Sequence, residues 1–206
     1  MTDTENLKGT TEMDAVGNRS THFFSLRGFP GILVGIYALL GAITFRQLLN
    51  NHQNLNSAVS FLPISYLEYL LTSIVFLVLV ISIISVYISA FRKAKWSHKK
   101  LWGPVSRRFL IHVSLPLLAG GVICILLYEY GLIRYISSAM LIFYGLTFFS
   151  ARKYISNTTR NAGIVILLIG LVSTQFIDYG LYFWVIGFGF IHVIYGIVTY
   201  RKHDNP

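Results

Sequence analysis

The chain has 206 residues, of which 54% are hydrophobic and only 12% charged, and its mean hydropathy is +0.62. A soluble globular chain carries about 25% charged residues, so this composition excludes a water-coated globule, a disordered chain, a collagen-like repeat and a disulfide scaffold. The net charge of +9 has no soluble domain to carry it as a basic face, so it does not point to nucleic acid. The single cysteine, Cys124, can form no internal bridge.

A membrane-crossing helix needs about 20 mostly apolar residues. Residues 1–21 form a polar tail holding Asp3, Glu5, Glu12 and Asp14, expected to be flexible and cytoplasmic. Apolar sequence begins only near Gly31, too far in for the apolar region of a signal peptide, so no cleavable signal is expected. The aromatic and basic stretch from His22 to Pro30 suits the interface, with Pro30 in the first turn of a helix.

The reading is an all-α membrane protein with a transmembrane domain over 22–203. Its six spans are expected near 31–49, 66–91, 109–128, 133–149, 162–176 and 181–200, which could pair as three helical hairpins. The runs are apolar all round, as in lipid. Barrel strands would alternate instead.

Basic residues set the orientation. Fifteen of the 17 fall before the first span, between the second and third, between the fourth and fifth, or after the sixth. Only Arg46 and Arg134 fall on the other side, with Glu68, Glu129 and Asp178. Both termini are therefore expected in the cytoplasm, in a bacterial inner membrane.

The fourth and sixth spans echo one another. Each follows an aromatic turn, Tyr130-Gly131-Leu132 and Tyr179-Gly180-Leu181, and each carries an inner Tyr-Gly, Tyr144-Gly145 and Tyr195-Gly196. They end at Arg152-Lys153 and Arg201-Lys202. This suggests related hairpins, or convergence on interfacial tyrosines and basic stop residues.

His192 lies nine residues before Arg201, about 14 Å deep at the helical rise. Ionisable residues at that depth are costly and often functional. It could relay protons, bind a metal or ligate haem; a neutral imidazole bonded to a neighbouring helix is the favoured reading. His112, about 6 Å deep by the same rise, does not match its level, which disfavours bis-histidine haem. No ligand spacing for zinc or di-iron is present, and no cofactor is expected.

Glu129 and Arg134 flank a tight turn and are expected to pair, near Asp178, while Glu68 ends the second span; these four could shape an outer vestibule. The segment 92–108 reads as a cytoplasmic loop with seven basic residues and no acidic ones: Arg92, Lys93, Lys95, Lys99, Lys100, Arg107 and Arg108, with Trp96 and Trp102. It should rest on the anionic inner leaflet or dock an acidic protein partner. Gly28, Gly31, Gly35 and Gly41, and Gly187, Gly189 and Gly196, give the first and sixth helices small faces for internal packing or a homo-oligomer seam. Pro116 with Gly120-Gly121 should weaken the third helix. No nucleophile–base pair, phosphate loop or carboxylate dyad can be assembled.

The segment Phe24-Ser25-Leu26-Arg27-Gly28-Phe29-Pro30-Gly31-Ile32 with Gly35-Ile36-Tyr37-Ala38-Leu39-Leu40-Gly41-Ala42, the triplet Ser106-Arg107-Arg108, and residues 181–197 around Gly187-Phe188-Gly189-Phe190-Ile191-His192 carry a resemblance. Over roughly 23–203 the chain resembles a family of small six-span inner-membrane proteins of Bacteroidota-type bacteria, often encoded beside a winged-helix regulator. The resemblance implies a membrane regulatory or stress role and supplies no catalytic residues. The sequence reading is therefore a non-enzymatic membrane protein acting through helix packing and cytoplasmic contacts, with a small-solute or ion transporter built from hairpins as the alternative.

Overall fold

The computed structural model describes residues 29–54, 62–96 and 104–204. The expected tail lies outside them, as do Lys99, Lys100 and Trp102. The described residues are helical, with no strand among them: α1 Phe29–Gln53, α2 Ile64–Trp96, α3 Pro104–Glu129, α4 Ile136–Ser150, α5 Asn157–Ser173, and α6 over 180–204. Helix α6 is continuous in three parts, an α-helical Gly180–Trp184, a π-helical Val185–Phe190 and an α-helical Ile191–Asp204.

Five helical runs are long and apolar enough to cross a membrane: Pro30–Gln53, Tyr66–Ile88, Arg107–Glu129, Ile133–Ser150 and Ile177–Arg201. The remaining helix, α5, is apolar with 17 residues, about 26 Å at 1.5 Å per residue and at the short end of what spans a bilayer. It begins five residues before the expected 162, because Ser156 caps it: the side chain accepts from the Thr159 N–H at 3.3 Å, satisfying an amide that the first turn would leave unpaired. It also ends earlier, so Thr174–Phe176 form a turn.

The expected loop 92–108 is shorter than its charge pattern suggested. Helix α2 runs on through Trp96 and α3 starts at Pro104, so Arg92, Lys93, Lys95 and Trp96 sit on helix α2, and Arg107 and Arg108 on helix α3. At 33 residues, α2 is about 50 Å long, well beyond a 30 Å hydrocarbon core. Its basic end thus continues as helix past the apolar stretch, since lysine and arginine are good helix formers.

The turn after α3 closes through Gly131, whose φ of 72° is the left-handed conformation that glycine adopts without penalty. The Leu132 N–H bonds the Leu127 carbonyl at 2.8 Å and the Gly131 N–H bonds that of Tyr128 at 3.0 Å, a Schellman closure. A three-residue 3-10 turn, Ile133–Tyr135, then leads into α4, and another, Ile177–Tyr179, leads into α6. The ends of α3 and α5, the two 3-10 turns and the starts of α4 and α6 all differ by 44 positions. This spacing corrects the register suggested by the aromatic turns: Tyr130 follows the end of α3, whereas Tyr179 sits inside a 3-10 turn.

Helices α4, α5 and α6 form the central cluster, with α3 against α4, α1 against α6, and α2 against α1. Glycines set these approaches. A β-carbon on Gly145 would stand 2.6 Å from the Leu167 backbone nitrogen of α5, and one on Gly35 would stand 2.8 Å from the Gly189 carbonyl oxygen of α6. Gly41 of α1 meets Val78 of α2 in the same way. Small residues let helices come this close in lipid, where packing rather than water drives association.

Candidate functional site

The π turn of α6 is packed closely from both sides. A β-carbon on Gly187 would stand 2.3 Å from Leu141 of α4, and one on Gly189 would stand 2.5 Å from Leu39 of α1. Neighbouring helices thus close in on both glycines. One turn on lies His192, only 3% exposed. Its Nδ1 is 3.2 Å from the Gly187 carbonyl and its Nε2 is 2.7 Å from the Tyr144 hydroxyl of α4. A carbonyl can only accept, so Nδ1 carries the proton, and in the neutral ring Nε2 accepts from the tyrosine. Phe188 stacks on the imidazole at 6.2 Å, and Tyr144 packs on Phe188 at 4.7 Å.

Chemically this is a closed pair. A proton relay needs a group at each end that can both take and release a proton. The Gly187 carbonyl offers an acceptor with nothing to pass on, so the ring is locked in one tautomer. Non-α geometry of this kind recurs at functional sites; here the π turn brings the Gly187 carbonyl within reach of the His192 ring.

Two further polar contacts cross the same cluster, and the sequence reading missed both. Ser138 of α4 and Ser173 of α5, almost fully buried, bond hydroxyl to hydroxyl at 2.8 Å. At the other end, Thr159 of α5 bonds the Tyr195 hydroxyl of α6 at 2.5 Å and Ser156 at 2.8 Å. Isolated hydroxyls in apolar helices were the available signal, since such groups bond across helices in lipid. Each of these groups finds its partner within the chain.

Of the residues singled out from sequence, Arg134 and Asp178 are brought together, and the others described are not gathered with them into one site. His112 is exposed on α3, its Nδ1 2.8 Å from the Arg108 carbonyl and its ring 5.3 Å from that of Tyr154. Arg134 pairs with Asp178 at 2.9 Å rather than with the expected Glu129, because the two 3-10 turns lie side by side and hold these residues at matching positions. Both side chains are 76% exposed, where an ion pair contributes little. Glu68 accepts instead from the Tyr128 hydroxyl at 3.3 Å. Arg46, unassigned from sequence, bonds the Tyr182 hydroxyl and sits 5.1 Å above its ring. Arg134 with Asp178, Glu68 with Tyr128 and Arg46 with Tyr182 are therefore separate pairs. Arg92, Arg107 and Arg108 are exposed at the basic ends of α2 and α3.

Clefts open on the surface of the described residues. An aromatic one of about 230 Å³ lies along Phe176, Tyr179 and Phe183. Another, about 490 Å³, opens between α3 and α4 near Arg152. His192 lines neither. Among the described residues, no group of three or more His, Cys, Asp or Glu side chains converges. The chain matches no family model, no curated protein and no solved structure.

Proposed function

We propose that the chain is a six-span inner-membrane protein with both termini in the cytoplasm, non-enzymatic, acting as a regulatory or interaction module through its basic cytoplasmic face. One observation carries this reading: His192, the ionisable group buried deepest in the cluster, is tied to Tyr144 on one side and to a peptide carbonyl on the other. That arrangement serves helix packing better than proton or solute movement. Exposed Arg92, Arg107 and Arg108 leave charge where an acidic cytoplasmic protein could reach it. The resemblance to small proteins encoded beside a winged-helix regulator supports a regulatory role.

The test is site-specific photocrosslinking in cells from positions 107 and 46. A defined cytoplasmic protein captured at 107 and absent at 46 is expected. Equal products at both positions, or none at 107, overturns the reading.

A transporter is the second reading. It is favoured by the π turn beside a buried histidine and by the 44-residue recurrence of helix ends in the two hairpins. Proteoliposomes decide between the two. Proton or cation flux above empty vesicles, abolished by His192→Gln, establishes the transporter.

A further inference from the structure

The cleft between α3 and α4 takes no part in the buried pairs, and its walls are graded. Helices α3 and α4 are neighbours joined by a tight turn, so depth runs in opposite senses along them. On α3, Leu115 and Pro116 lie about 5 Å deeper than His112; on the other wall, Leu146 lies about 6 Å along α4 from Ser150, its last residue, and Arg152 follows in the turn beyond. The deep end is apolar, and the shallow end carries Arg152, Lys153 and His112. No carboxylate lines it among the described residues.

Local contacts prepare the shallow end. The Arg152 guanidinium rests 4.7 Å above the Phe149 ring, which limits its freedom. The His112 Nδ1 is engaged by the Arg108 carbonyl at 2.8 Å, which leaves Nε2 for an outside partner. Leu115, which lines the apolar end, is 70% exposed. At about 490 Å³ the cleft falls within the usual size of ligand sites.

We propose that this cleft holds an acidic phospholipid, with the phosphate against Arg152 and Lys153 and an acyl chain along Leu115 and Leu146. Basic pockets between membrane helices at the cytoplasmic side recognise such headgroups. The apolar-to-basic gradient matches one amphipathic molecule better than a free anion, which would use only the shallow end. The inference rests on the proposed orientation, which places Arg152 and Lys153 at the inner leaflet.

The test uses the full chain in a neutral detergent, where both ends are accessible whatever the orientation in cells. Binding of phosphatidylglycerol, phosphatidylcholine and inorganic phosphate is measured by native mass spectrometry and titration. Phosphatidylglycerol should bind selectively, with phosphatidylcholine and phosphate much weaker. Arg152→Gln/Lys153→Gln should weaken phosphatidylglycerol about thirtyfold, whereas Arg201→Gln, at an exposed position on α6, should not. Equal binding of the two lipids, or an unchanged double variant, overturns the proposal. Phosphate binding as tight as the lipid makes the site an anion site and overturns it too. Should the double variant fail to accumulate, Leu115→Trp fills the apolar end at an exposed position, and undiminished lipid binding there sinks the idea. Failure here leaves the cytoplasmic-interaction reading standing, since that is tested by crosslinking.

Discussion

The Tyr144 hydroxyl stands 2.7 Å from Nε2 of His192 and joins α4 to α6 beside the π turn. The bond is polar and interhelical, and its histidine end is buried. Its removal should therefore lower stability rather than abolish a chemical step. Interhelical hydrogen bonds in membranes average about 0.6 kcal/mol and reach about 1.7. Tyr144→Phe keeps the ring and loses the donor, so its thermal midpoint in lipid should fall by an amount within that range. His192→Gln, which retains polar capacity, should be milder than His192→Leu. Abundance in cells should follow the same order, and wild-type stability in Tyr144→Phe would remove the bond from the account.

Two glycines should respond in opposite directions to the same substitution. A β-carbon on Gly121 meets nothing within 4 Å, so Gly121→Ala should gain up to about 1 kcal/mol from helix propensity. A β-carbon on Gly35 meets the α6 backbone below 3 Å, where nothing flexible can yield. Gly35→Ala should lose about 1–3 kcal/mol by overpacking. Unfolding in mixed detergent should raise the first midpoint and lower the second.

The Ser138–Ser173 bond lends itself to a double-mutant cycle. Either alanine alone strands a buried hydroxyl, whereas the double variant removes both partners at once. The double variant should be less destabilised than the sum of the two singles. Simple additivity would show that the two hydroxyls do not depend on each other.

Orientation follows from labelling. In a Cys124→Ser background, cysteines at Asn54 and Asn157, both exposed, should differ. An impermeant reagent applied to intact cells should reach position 54 and leave position 157 untouched. Labelling of position 157 from outside would refute the placement of both termini in the cytoplasm.

The helical class was legible because each apolar run is long and lacks a polar stripe, so the positions of α1, α3 and α4 follow from hydrophobicity alone. Ends were harder. Ser156 starts α5 with a cap that hydropathy does not see, and the lysines and arginines of α2 read as loop although they are good helix formers. The candidate site was half legible: the depth of His192 follows from counting, but its partner Tyr144 depends on how α6 meets α4. That meeting is set by Gly187, Leu141 and the π turn, none of which leaves a periodic trace. Likewise, Arg134 has the acidic residue Glu129 close by in sequence, yet it bonds Asp178, because the two 3-10 turns adjoin.

The contact between Gly35 and Gly189 joins positions 154 residues apart. At about 5–20 residues per second, a ribosome makes the second roughly 8–30 s after the first. Helix α1 therefore enters the bilayer long before this partner exists, with α2 against it through Gly41 and Val78. Its small-residue face spends that interval against lipid or against whatever insertion factor shelters it, and the contact between α1 and α6 closes only when α6 arrives. A stop codon that removes α6 would then leave a chain that inserts normally but presents α1 uncovered, the kind of exposed, close-packing surface that membrane quality control has the opportunity to read.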